Sequence, residues 1–228
     1  MRQKLLSFLF FVSFIFISRA NNVNINSLIQ DSGWERIHSF DDSVQVYEKH
    51  LQHLNLKAYR VLKRTNINAG TLFSVFESID KYENVLKSAQ NIDFETLEFE
   101  GDTIYGYQHI NIPIVKDRHY VYQMVKNSVN SEFAYWILQD EGVKFKEFIE
   151  KKSASKNNPI YLDEGTGVFK VVPNSDRTNI VSYSLYMDPG GNLPNFLINM
   201  INERGLVNMF RDVIDEAHRM EKEYRNEN

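Results

Sequence analysis

Histidines and carboxylates are where acid–base or metal chemistry would have to come from. The six histidines, His38, His50, His53, His109, His119 and His218, are scattered along the chain. His50-Leu51-Gln52-His53 brings two imidazoles three positions apart at a strand end. No cysteine exists to join them, and no acidic partner is organised beside them. No metal and no cofactor are therefore expected. Asp163-Glu164 and the Glu147/Glu150 pair read as solvated charge. The chain contains no G-x-S-x-G, H-E-x-x-H, Walker or G-x-G-x-x-G text. No nucleophile–base pair can be named, and no catalytic residue is assigned.

What the chain has in excess is aromatic surface: 16 Phe, 12 Tyr and 2 Trp. Core packing explains most of it, but tyrosines concentrate in strand-like text at Tyr105, Tyr107, Tyr120, Tyr122, Tyr135, Tyr183 and Tyr186. Each offers apolar area with a hydroxyl that wants a partner. A pocket for a hydrophobic ligand needs that combination. Strand period puts Arg118, Tyr120, Tyr122 and Met124 on one face, and His119, Val121, Gln123 and Val125 on the other. On the preceding strand Ile104, Gly106, Gln108 and Ile110 share a face opposite Tyr105, Tyr107 and His109. Arg118 admits two readings. It is either a structural cation at the sheet rim, pairing with Asp117 or another acid, or a fork of donors for a ligand head group.

The elements that would position these residues follow from periodicity. Ile25 to Ile37 reads as a helix, and Val44 to Lys49 and Leu56 to Thr65 as strands. Apolar residues at i, i+3, i+4 predict one helix over Ala69 to Leu86. Strands follow at Ile92 to Glu100, Thr103 to Ile112, Arg118 to Ser128 and Glu132 to Asp140, with turns at Gly101-Asp102 and Asn130-Ser131. After the charged segment Phe145 to Lys156 come strands at Gly167 to Val172 and Asn179 to Met187. A helix over about Leu193 to Tyr224 closes the chain, with Gly205 marking a bend or a close approach. The pattern is α+β.

The joint into that last helix reads Asp188-Pro189-Gly190-Gly191-Asn192-Leu193-Pro194-Asn195-Phe196-Leu197-Ile198-Asn199. Pro189 has no N–H to extend a ladder, the two glycines admit positive φ, and Pro194 suits a first helical turn. This text resembles the strand-to-helix joint of START domains, the StAR-related lipid-transfer family, usually D-P-G-G-x-(I/L)-P-x-(W/F)-L-(I/V)-N. Upstream, Pro113-Ile114-Val115-Lys116-Asp117-Arg118-His119-Tyr120-Val121 is similar to the family's P-x-V-x-D-R-D-F-V. Asp117, Arg118 and Val121 match, Tyr120 replaces Phe, and His119 replaces the second Asp. With Trp34, the resemblance runs from about Ser27 to Tyr224.

The resemblance implies a helix-grip fold: a curved antiparallel sheet wrapped around a long C-terminal helix, with an internal apolar cavity. It implies a single domain, residues 21–228, that binds a hydrophobic ligand (a lipid, sterol-like or acyl) and carries or senses it without covalent chemistry. The cavity candidates are Gln108, Ile110, Arg118, Tyr120, Tyr122, Met124, Phe169, Phe196, Met200 and Val207. In sterol-carrying members a cavity arginine occupies the position of Met124, and its acidic partner that of Gln108. Here that ion pair is absent, which favours a more apolar or uncharged ligand. The same superfamily includes cyclase, aromatase and hydrolase-like enzymes, and that is the alternative reading. A ligand-gated interaction module is a third.

Residues 1–20 read as a leader. Arg2 and Lys4 precede an apolar run, Leu5 to Ile17, shorter than the roughly 20 residues of a spanning helix. Ser18-Arg19-Ala20 offers small residues for cleavage near Ala20. The expectation is an exported protein, periplasmic or secreted, that meets membranes transiently and works as a monomer. Without Arg2, Lys4 and Arg19 the 26 basic residues fall to 23 against 30 acidic, a net charge of −7. Such a balance argues against nucleic acid as a partner.

Overall fold

The computed structural model describes residues 25–51, 56–127, 133–138, 144–174, 176–191, 193 and 203–227. The leader reading, the Asn130-Ser131 turn, His53, Phe196 and Met200 lie outside them. A short helix α1 (Ile25–Ile29) precedes strands β1 (Glu35–Ser39), β2 (Gln45–His50) and β3 (Lys57–Thr65). Helices α2 (Ala69–Glu77) and α3 (Tyr82–Val85) lead to β4 (Ile92–Glu100), β5 (Thr103–Ile110), β6 (Arg118–Asn127) and β7 (Phe133–Leu138). Then come α4 (Lys146–Ser155), β8 (Ile160–Tyr161), β9 (Gly165–Pro173), β10 (Asn179–Met187) and the closing helix α5 (Gly205–Glu227).

All ten strands join one sheet in the order β1-β2-β3-β10-β9-β7-β6-β5-β4. Every pairing is antiparallel except the short parallel contact of β8 with β6. The α+β helix-grip architecture is the one expected. Alternation assigns the faces. Val61, Phe169, Val171 and Val181 point into the main core with Leu206, Val207, Phe210, Val213, Ile214 and Ala217 of α5. Ala58, Val168 and Tyr186 point the other way and are covered by Leu28 of α1. On the same outer surface, further along, Tyr107 and Val121 pack under Ile149 of α4.

Two expected helices are corrected. The first stops at Ile29, because Gly33 turns the chain with φ +79° and Glu35–Ser39 then pairs with β2. The second breaks at Ser78, whose ψ of 64° ends α2; a 3₁₀ turn (Ile79–Lys81) and α3 follow. The closing helix is described from Gly205, and a Cβ built on that glycine meets nothing within 4 Å. Of the two readings of Gly205, a bend or a close approach, no close approach to a described residue is found.

Candidate ligand-binding cavity

Between α5, α2, α3 and the inner face of the sheet lies a cavity of about 310 Å³. Strand parity delivers most of its wall. Gln108 and Ile110 come from β5, Tyr120, Tyr122 and Met124 from β6, Phe169 from β9, and Tyr183, Leu185 and Met187 from β10. Phe76, Tyr82 and Leu86 form the helical side, and Leu206, Met209, Phe210 and Val213 of α5 form the roof. The lining reaches solvent at Ser88, Asn91 and Pro113, all exposed, so these residues form the mouth.

Aromatic rings brace the wall. Phe76 stacks on Phe169 at 4.4 Å between centroids, and Phe73 and Tyr183 meet this pair edge-on at 5.8 and 5.7 Å. Tyr122 lies flat against Gly106, its register partner on β5. The Tyr82 hydroxyl donates to the Phe76 carbonyl. Burial pushes the phenols of Tyr82, Tyr120 and Tyr122 up, so they stay protonated. At the mouth Asp212 accepts from the Ser88 amide at 2.8 Å and its hydroxyl at 2.5 Å. The Asn91 side chain donates to the Asn111 carbonyl at 2.9 Å.

Six of the ten sequence candidates are on this lining: Gln108, Ile110, Tyr120, Tyr122, Met124 and Phe169. Arg118 is not. It is 2% exposed, and its Nε and Nη2 donate to the carbonyls of Pro189 and Gly190 at 3.0 and 3.1 Å. Its Nη1 donates to the Lys116 carbonyl. The expected acid is thus replaced by backbone oxygens of the Asp-Pro-Gly-Gly turn, and the head-group fork is already occupied. Val207 is buried but off the lining, which takes Leu206, Met209, Phe210 and Val213 instead. Those four fall at i, i+3, i+4 and i+7, a signal that the apolar stripe carried. Tyr82 and Tyr183 were missed as lining residues, although Tyr183 alternates with Leu185 and Met187 in plain strand text.

The outer face carries the two buried histidines, His109 and His119. His109 sits between Asp93 at 3.2 Å and Asp117 at 3.1 Å, the latter off the hydrogen-bond direction. No group of three metal-ligating residues occurs among the described residues. His119 is 1% exposed, with Nδ1 3.3 Å from the Tyr107 hydroxyl and Nε2 3.4 Å from Ser153 Oγ. A neutral ring protonated on Nε2 satisfies both contacts. Burial, then the neighbouring His109, holds its pKa down to about 4, against an ordinary 6.5. A depressed folded value means that His119 favours folding above pH 6.5 and loses that contribution as pH falls toward 4. The difference is on the order of 3 kcal/mol across the window. Urea unfolding of wild type and His119→Gln over this range checks it: the variant should show the shallower loss of stability with acid.

No protein-family model matches the chain, and no curated protein sequence matches it. Solved structures do. A STAR-related lipid transfer protein fragment from Xanthomonas axonopodis superposes with a TM-score of 0.61 at 16% identity, covering 81% of this chain and 96% of that one. Human STARD10 gives 0.63 at 13% identity, covering 89% and 81%. Human StAR-related lipid transfer protein 5 gives 0.61 at 10% identity, covering 86% and 92%.

Proposed function

We propose that this chain, whose fold is that of the START lipid-transfer domains, takes up a hydrophobic small molecule between α5 and the sheet and carries it chemically unchanged. The observation that supports this most directly is the cavity itself: enclosed by apolar and aromatic side chains, opening at one polar rim. A ligand burying about 200 Å² of apolar surface there gains roughly 5 kcal/mol. That suffices for reversible uptake without a covalent step.

A second feature supports transient membrane contact. The loop from β5 to β6 contributes Ile112 and Pro113 to the cavity wall, and the next residue, Ile114, is fully exposed with φ +78°. A β-branched residue in the left-handed region is strained, and the fold holds its side chain out in solvent beside the mouth. A lipid surface is where such a side chain would be buried, delivering the mouth to the ligand source. The leader-like residues 1–20 support an exported setting.

Transfer of fluorescent lipid between liposomes is the test, with lipid masses compared before and after. We expect catalysed transfer of unchanged lipid, and Ile114→Asp should slow it roughly tenfold while equilibrium binding holds. A new lipid product would instead establish the cyclase-like or hydrolase-like alternative.

A further inference from the structure

The described cavity wall carries no formal charge. None of its residues is Asp, Glu, Lys, Arg or His. Arg118 shares the strand face of Tyr120 and Tyr122, yet each of its three nitrogens donates to a carbonyl of the Lys116 or Pro189-Gly190 backbone. The phenols of Tyr82, Tyr120 and Tyr122 remain protonated and uncharged. The charges bonded to lining residues at the mouth are carboxylates: Asp212 accepts from Ser88, and Asp117 from the Ile112 amide. An anionic head group drawn into this space would lose its hydration without meeting a counter-charge.

Gln108 stands out against this wall. It is half-buried on β5, in register with Tyr120 of β6 on one side and Phe94 of β4 on the other. Its carboxamide lines the cavity and makes no hydrogen bond to any described residue. A carboxamide brings two N–H donors and one acceptor oxygen, and leaving them unmatched in apolar surroundings is costly. A ligand in the cavity that carries a hydroxyl or amide would match them.

We propose that the cavity selects a ligand with an uncharged buried end carrying a hydroxyl or amide that hydrogen-bonds Gln108, and discriminates against carboxylates. This rests on the hydrophobic-ligand reading above and narrows it. At about 310 Å³ the space is at the small end of the roughly 300–1,000 Å³ usual for small-molecule sites, so one tail or a compact ring system fits better than two tails.

Dodecanol, dodecanamide and dodecanoate carry the same tail on three different ends. Each is titrated against Nile red bound to the purified protein at neutral pH. The alcohol and the amide should displace the dye at concentrations at least tenfold lower than the acid. Gln108→Leu should weaken the alcohol and the amide roughly tenfold relative to the acid, since a lost hydrogen bond is worth about that factor. Gln108→Lys should bring the acid ahead of both. Equal displacement by dodecanoate in the wild-type protein overturns the proposal without any variant, as does an order that Gln108→Leu leaves unchanged. If neither Nile red nor any of the three binds, the hydrophobic-ligand reading itself falls.

Discussion

Replacing Arg118 by Met will destabilise the protein by about 3–5 kcal/mol and lower its Tm by roughly 10 °C. The side chain is 2% exposed and joins β6 to the turn after β10 through the Pro189 and Gly190 carbonyls, with a third bond to the Lys116 carbonyl. Removing it strands the buried Pro189 oxygen and leaves the part-buried Gly190 and Lys116 oxygens without their donor, and each unsatisfied buried group costs about 1–3 kcal/mol. In the turn Gly190 and Gly191 adopt φ of 62° and 70°; the Gly190 N–H donates to Asp188 Oδ1 at 2.8 Å, the Leu193 N–H to the Gly191 carbonyl at 3.1 Å and the Asp188 N–H to the Glu164 carbonyl at 2.9 Å. Arg118→Lys should recover only part of the loss, because an ammonium on a flexible stem cannot span carbonyls that a planar fork reaches together. Chemical denaturation of the three proteins measures this. A cost below about 1 kcal/mol for Arg118→Met would show that the turn holds without the guanidinium. Because Arg118 is off the cavity wall, hydrophobic-probe binding by Arg118→Lys under conditions where it is folded should persist; loss there would return Arg118 to a ligand-facing role.

The destination of Arg118 illustrates what local text could convey. Strand period placed Tyr120, Tyr122 and Met124 on one face with Gln108 and Ile110, because alternation is a property of the strand alone. The bounds of β4 and β10 were equally plain, since alternating β-formers end at turn text such as Gly101-Asp102. The partners of Arg118 lie 71 and 72 positions away, at Pro189 and Gly190. Nothing within β6 distinguishes a carbonyl partner there from an acidic one. The same limit explains Val207. Leu206, Val207, Met209, Phe210, Val213 and Ile214 make a stripe wide enough that either flank could face a ligand. Only the seat of α5 on the sheet turns Leu206 and Met209 toward the cavity. The first helix failed for a local reason instead: Asp31-Ser32-Gly33 is turn text, and the apolar spacing across it was coincidental.

Gly106→Val should abolish ligand uptake at a smaller cost in stability than the Arg118 change. Gly106 is opposite Tyr122, and a Cβ built on it would lie 2.5 Å from the tyrosine hydroxyl oxygen, 2.8 Å from Cε1 and closer still to Cζ. Real side chains do not tolerate such contacts, so the ring must move. Backbone pairing on both sides of β5 leaves the strand little freedom, since it is bonded to β4 and β6 along its length. The ring therefore swings about its own χ angles, and the free space it can enter is the cavity it lines. Overpacking of this kind costs about 1–3 kcal/mol, within what a domain of this size survives. The displaced phenol occupies volume that the ligand needs, beside Gln108 and Met124, so binding of Nile red should fall by at least tenfold while the unfolding transition stays cooperative. Gly106→Ala, with one methyl, should shift the ring less and weaken binding less. Tyr122→Ala in the Gly106→Val background should restore uptake, because it removes the ring that the valine displaces. Unchanged binding in Gly106→Val would mean that Tyr122 has another way out, and that the ligand does not occupy the space between β5, β6 and α5.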